Sequence, residues 1–299
     1  MRSHARAWER ENMRADVPQS AIRNNKRQEP MNETWKHLIV DPRGDVCRVT
    51  INRPHDRNSI NSELMAELIR MLEQVEQTET RAVVFTGAGD TYFIGGADGI
   101  EMMQCDGEEA SAFSTRIQDL FLRMEASPII LVAAINGLCF GGGYEFALAC
   151  DLRVASEEAR IGLPEVKVGL IPGGGGTQRL PRLVGFGRAM EMILSGRLYK
   201  GTEAAQMGLV HLAVKPEGLA AGVEGLLKPI LRQPRYALSL AKRAVLASRS
   251  GSLEQGLKEE SEQFSHCFDH RFFPDLMVEQ LREGNLETTV DVREFLGGK

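Results

Sequence analysis

Ile129-Ile-Leu-Val-Ala-Ala-Ile-Asn-Gly-Leu-Cys-Phe-Gly-Gly-Gly-Tyr-Glu-Phe-Ala-Leu-Ala-Cys-Asp151 decides the fold. Ile129 to Ile135 is too apolar to have a wet face, so it reads as a strand buried on both sides. Gly141-Gly142-Gly143 interrupts the chain, and Tyr144 to Ala149 starts a helix. The same alternation extends outward in both directions. Val46 to Ile51 is a β-branched strand that Arg53-Pro54 breaks. Asn61 to Gln77 carries Leu64, Leu68, Met71, Leu72 and Val75 at helical spacing. Arg81 to Thr86 is a second buried strand, ended by Gly87-Ala-Gly89; Glu108 to Met124 is helical, and Asp151 to Ala155 is a further strand. Strands alternating with helices predict an α/β core over residues 31–198. From Phe186 the chain is mainly helical, with one short strand near Leu209 to Val214, which gives a helical C-terminal region over 199–299.

Composition narrows the function classes. The chain has 299 residues, 42 % hydrophobic and 26 % charged, enough apolar material for a substantial core. No apolar run approaches the roughly 18–20 residues of a membrane span. A net charge of −5 gives no electrostatic case for nucleic acid as the main partner. Residues 1–30 differ: seven Arg/Lys against four Asp/Glu and no apolar stretch. They read as a flexible extension, or as sequence upstream of a start at Met31, and are set aside from the fold. Five scattered cysteines without a CxxC pair read as reduced thiols of a cytosolic-type compartment. His266 and His270 could share a helix face, but no third ligand stands at suitable spacing, so no metal site is expected.

Chemistry concentrates in three segments: Tyr92-Phe-Ile-Gly-Gly-Ala-Asp-Gly-Ile-Glu-Met102, the glycine-to-helix junction around Gly142, and Ile161-Gly-Leu-Pro-Glu-Val-Lys-Val-Gly-Leu-Ile-Pro-Gly-Gly-Gly-Gly-Thr-Gln-Arg-Leu180. A helix N-terminus presents unpaired N–H groups and the positive end of the helix dipole. Glycines let a ligand come close to that backbone. The Walker lysine and Ser/Thr are missing and the spacing fails GxGxxG, so neither a P-loop nor a dinucleotide site fits. An oxyanion hole does fit, with Glu145 one turn into the same helix. A packing device with a dipole-compensating glutamate fits that segment as well.

The ordered set resembles one family. Ile51-Asn-Arg-Pro54 with Asn58 is similar to an "NRP…N" opening, and Phe93 to Asp98 to an "FxxGAD" loop. Asn136 to Glu145 is similar to "NGxxxGGGxE", and Leu163 to Leu180 to "xPExxxGxxPGxGGTQRL". On these matches, which run from about Glu33 to Glu217, the chain resembles the crotonase superfamily, the enoyl-CoA hydratase/isomerase family.

The resemblance implies a crotonase-type fold, in which stacked β-β-α units form a spiral core. It implies oxyanion-hole N–H groups on Ala97 and Gly142, catalytic glutamates at Glu145 and Glu165, and a Gly173 N–H that positions water. Candidate CoA contacts are Arg57, Ala97, Asp98 and Ile100. The implied reaction is hydration of an enoyl-CoA to a 3-hydroxyacyl-CoA, a lyase reaction with coenzyme A as part of the substrate and no other cofactor. A cytoplasmic homotrimer or dimer of trimers is implied, with the mitochondrial matrix as the eukaryotic location. Keeping both glutamates favours hydration over isomerisation or hydration with retro-aldol cleavage. Some positions depart from the family pattern. Ile94 replaces a small residue, Gly99-Ile100 replaces a Leu/Ile-Lys pair, His55 stands where a lysine often meets the CoA phosphates, and the ending from Phe272 is unlike the family's. These departures leave an acyl-carrier-protein thioester open as substrate. A non-catalytic binding protein of the same fold is the remaining alternative, opposed by the intact glutamates and the negative charge.

Overall fold

A computed structural model describes residues 33–270 and 272–282. The extension expected over residues 1–30 lies outside the described residues. β1 (Leu38–Arg43) and β2 (Val46–Ile51) form an antiparallel hairpin around Gly44. β1 contains Pro42, which cannot donate to a ladder, and it lies at one edge of the sheet. Helix α1 (Ser62–Glu76) follows, capped by Asn61, whose side chain accepts from Leu64 N–H at 2.9 Å.

From there a unit of two strands and a helix repeats. In the first turn β3 (Ala82–Gly87) is followed by β4 (Tyr92–Ile94), then the short α2 (Gly99–Met102) and α3 (Gly107–Ala126). In the second, β5 (Ile130–Ile135) and β6 (Leu138–Phe140) lead into α4 (Gly142–Ala149). In the third, β7 (Leu152–Ser156) and β8 (Arg160–Gly162) lead through a 3-10 turn, Glu165–Val168, to α5 (Gly176–Val184). The rest is α6 (Phe186–Ser195), β9 (Tyr199–Lys200), α7 (Gly201–Gln206), β10 (Leu212–Val214), α8 (Leu219–Ile230), α9 (Arg235–Ala247), α10 (Leu253–His266) and α11 (Phe272–Arg282).

The first strand of each unit enters a six-stranded sheet in the order β1-β2-β3-β5-β7-β10, parallel from β2 onward. The second strand enters a four-stranded sheet, β4-β6-β8-β9, parallel except for β9. This is the spiral of stacked units expected from the sequence. Strand alternation explains why the large sheet is apolar on both faces. Val83, Phe85, Leu131, Ala133 and Ile135 face the main core with α1 and α3. Ala82, Val84, Ile130, Val132 and Ala134 face a second cluster closed by Val223 and Leu227 of α8.

Long elements fall where periodicity predicts them. The small sheet does not announce itself, because its strands are two or three residues long and show no period. The C-terminal strand is shorter than the Leu209 to Val214 stretch suggests and pairs with β7 in parallel.

Candidate active site

Each turn of the spiral delivers one part of the site just after its short strand. The loop after β4 carries Ala97. It is locked by Gly95 N–H to the Arg57 carbonyl at 2.9 Å, Ile60 N–H to the Gly96 carbonyl at 2.9 Å, and Asp98 N–H to the Ile60 carbonyl at 2.8 Å. In such a parallel bridge the bonds flank Ala97, so its own N–H faces away from Ile60. Gly142 opens α4. A Cβ on Gly142 would stand 3.0 Å from the Ala97 nitrogen, so a side chain there would fill the space the two segments share. Neither N–H donates to another of the described residues. Gly141 bends the chain into α4 at φ +56, a conformation that glycine adopts without strain.

Glu145 lies in the first turn of α4, a helix buried along its whole length, and is 2 % exposed. Its Oε1 accepts from Gly174 N–H at 2.8 Å and Gly176 N–H at 2.7 Å. Burial raises its pKa above the ordinary carboxylate range, against the pull of those two amides and the Arg179 charge. A Cβ on Gly176 would meet Leu163 Cδ1 at 2.8 Å and Glu145 Oε1 at 2.9 Å, so this close approach requires glycine.

Glu165 heads the 3-10 turn after β8. Its Oε2 is buried without a hydrogen-bond partner among the described residues. Burial, helped by the Glu145 charge and opposed by its own N–H, pushes its pKa up to about 7. A Cβ on Gly141 would lie 3.3 Å from Glu165 Oε1, so Glu165 packs against the start of α4. The site therefore sets two acidic groups in unlike surroundings around a pair of free backbone donors. One carboxylate is clamped by amides and the other has a bare oxygen near neutrality.

Gly173 belongs to the same loop as the clamp. Its carbonyl accepts from Ser114 Oγ and Gln118 Nε2 of α3, both at 2.7 Å. The amides that hold Glu145 are Gly174 and Gly176, which sequence reasoning missed. Four consecutive glycines offer four similar N–H groups, and nothing in their spacing separates them.

The candidate CoA contacts scatter. Ile100 is 72 % exposed, and His55 and the Arg57 side chain are exposed on the surface. Asp98 is turned inward. It accepts from Arg53 Nη2 at 3.0 Å and caps α2 through Ile100 and Glu101 N–H. Burial pushes its pKa up, but Arg53 and the two amides outweigh it, and the carboxyl is held below its ordinary value. Arg53 also grips the Ser59 carbonyl at 2.5 Å and Asp56 at 2.9 Å, so the "NRP" arginine ties the Ala97 loop to the end of β2. The described residues contain no group of three or more His, Cys, Asp or Glu able to hold a metal ion. His266 pairs with Asp269 and His270 stacks on Tyr236.

Comparison with known proteins identifies the family. The family model for enoyl-CoA hydratase/isomerase matches residues 42–277. The chain is 36 % identical over 252 residues to a short-chain-enoyl-CoA hydratase of Clostridium acetobutylicum, covering 84 % of this chain and 97 % of that one. It is 34 % identical over 235 residues to a crotonyl-CoA hydratase of Syntrophomonas wolfei, covering 78 % and 90 %. The crystal structure of an enoyl-CoA hydratase from Bacillus anthracis matches with a TM-score of 0.78 at 34 % identity, over 83 % of this chain and 97 % of that one. A family model that spans most of the chain, relatives matched along nearly their whole length and a shared fold lead to one conclusion: this protein belongs to the enoyl-CoA hydratase/isomerase family of the crotonase superfamily.

Proposed function

We infer that this enzyme is an enoyl-CoA hydratase, adding water across the 2,3-double bond of an enoyl-CoA to give a 3-hydroxyacyl-CoA. The observation that carries this is the unlike pair of carboxyl groups, Glu145 clamped by two amides and Glu165 bare and near neutrality. The thioester carbonyl accepts from Ala97 and Gly142 N–H. This draws electron density toward the carbonyl oxygen and leaves C3 electrophilic. Negative charge builds on that oxygen as water attacks, and prealigned donors stabilise it. Glu145, ionised, takes a proton from the attacking water. Glu165, protonated, delivers one to C2. Gly173 N–H helps to place the water. Arg57, Ala97, Asp98 and Ile100 remain the proposed neighbours of CoA, although the Asp98 N–H and carboxylate are both engaged within the protein.

The same inference places the enzyme among the lyases, working without a cofactor beyond the CoA of its substrate. It assigns the enzyme to fatty-acid metabolism in the cytoplasm, or in the mitochondrial matrix of a eukaryote. None of the described helices is long and apolar enough to cross a membrane. Incubation with a 2-enoyl-CoA tests the reaction: the conjugated-thioester absorbance should fall as the 3-hydroxy product appears. Conversion of a 3-enoyl-CoA to the 2-enoyl isomer, without hydration, would replace this function with isomerisation.

A further inference from the structure

Glu145 is held by a loop of four glycines, Gly173 to Gly176, which has no side chains to restrict it. What restricts it is a grip on two successive carbonyls. The Gly173 carbonyl and the Gly174 N–H belong to one planar trans peptide, so they point in opposite directions. Ser114 Oγ and Gln118 Nε2 take the carbonyl end at 2.7 Å each, and the amide end then faces Glu145. Two donors on that carbonyl also polarise the peptide and strengthen its N–H. The next carbonyl, Gly174, accepts from Arg179 Nη1 at 3.0 Å.

Arg179 is itself immobilised. Its Nε and Nη2 reach the two oxygens of Glu125, at the end of α3, at 2.9 and 2.8 Å. Such a bidentate pair fixes the guanidinium plane. Arg249, beyond the C-terminus of α9, donates to the same carboxylate. The guanidinium stands 5.9 Å from the Phe121 ring centre, and Phe121 packs against Gly174. The Arg179 and Glu125 side chains are only 11 % and 13 % exposed.

We propose that Arg179, Ser114 and Gln118 are positioning residues that aim the Gly174 amide at Glu145 by holding the two carbonyls that bracket Gly174. This deepens the two-glutamate hydration proposed above and rests on it for the kinetic consequence. The groups facing Glu145 are the Gly174 and Gly176 amides of the loop, Arg179 from α5 and Glu165 from the 3-10 turn, with Glu125 behind Arg179. Loosening the grip removes an amide from the carboxylate, and removing Arg179 also removes a positive charge. Both changes make the ionised form of Glu145 harder to keep.

The test uses protein labelled with 13C at the glutamate carboxyls, with the Glu145 signal identified by its loss in Glu145→Gln. Its titration is followed by infrared spectroscopy in the wild type, Arg179→Gln, Arg179→Lys and the double variant Ser114→Ala/Gln118→Ala. The midpoint should move to higher pH in Arg179→Gln and in the double variant. Arg179→Lys should keep a midpoint nearer the wild type, because it keeps the charge and loses only the planar fork. In turnover of a 2-enoyl-CoA, kcat should fall roughly 10- to 100-fold in Arg179→Gln, as expected for a misplaced catalytic group, with KM within about twofold. The low-pH limb of the kcat profile should shift upward with the midpoint. Unchanged midpoints and unchanged kcat in the double variant, which removes no charge and only two partly or fully exposed side chains, would overturn the proposal even if Arg179→Gln does not fold. Wild-type protein without hydratase turnover would remove the proposed function instead, and the titration would still decide whether the loop is held in this way.

Discussion

Glu165 has a buried Oε2 with no partner among the described residues and a pKa near 7, while Glu145 is anchored at both its helix and its carboxylate. This asymmetry predicts kinetics and stability together. Glu→Gln at either position should cost at least about 100-fold in kcat, the lower range for a general acid or base, with little change in KM. The double variant should lose less than the product of the two singles, because each group serves one reaction event. A nearly active Glu165→Gln beside a dead Glu145→Gln would point to one-carboxylate chemistry. On the proposed mechanism Glu165 must be protonated to donate, so kcat should fall as pH rises through about 7. Glu145 must be ionised, so kcat should fall again as pH drops through its own raised value. Stability follows the same sign. The folded-state pKa of Glu165 is raised from 4.5 to about 7, so its favourable contribution is complete below 4.5 and lost between those values. Melting temperatures of wild type and Glu165→Gln, compared at pH 5 and pH 8, should therefore diverge in favour of the variant at pH 8. Both glutamates were legible in the sequence because each sits in a rigid glycine or proline context that a motif records. The partners of Glu145 were not, because backbone amides carry no letter of their own.

Among the elements, α4 does the most with the least. It is eight residues long and wholly buried, and its first residue, Gly142, is one of the two proposed carbonyl-binding positions. Proline is tolerated at a first helical position because that N–H has no helical acceptor. Gly142→Pro should thus keep the helix while deleting the donor, and its ring also enters the space beside Ala97 N. The expected loss is at least about 3 kcal/mol of transition-state binding, as for other oxyanion donors. Circular dichroism of the variant should match wild type; a folded variant with full kcat/KM would mean the donor lies elsewhere. Six-residue strands apolar on both sides, such as β3 and β5, and the amphipathic helix α1 could be read from their residue pattern. β4, β6, β8 and β9 could not, because two or three residues show no alternation and pair only through tertiary register.

At the scale of the molecule, the C-terminal helices are tied to the α/β core by buried polar contacts as well as by packing. Lys242 on α9 donates to Asp151 at 2.8 Å and to the Ile129 carbonyl at 3.0 Å, and Asp151 accepts from Leu131 N–H at 2.8 Å. Burial raises the Asp151 pKa, and the lysine works against it. Lys242→Met should leave that carboxylate uncompensated and cost about 3–5 kcal/mol, read as a lower denaturant midpoint. Replacing both partners with apolar residues should recover much of the loss. Val168, Ile171, Phe186 and Leu194 remain exposed on the single chain, which fits the proposed trimer or dimer of trimers. Light scattering should give three or six chains, and a monomer at working concentration would contradict it. The C-terminal region could be read as helical in the sequence, but its tie to Asp151 could not, because a lysine in an amphipathic helix reads first as surface.

The spiral also orders the site along the chain. Its three turns lay the site down in strict chain order: Ala97, then Gly142 with Glu145, then Glu165, and last the glycine amides at 174 and 176. In chain order the two proposed carbonyl-binding amides, Ala97 and Gly142, stand ahead of both glutamates. The amides that clamp the Glu145 carboxylate lie about thirty residues further along the chain. A glutamate weakened as an acid by burial in one turn of the spiral thus has part of its acid strength restored by amides that the next turn supplies.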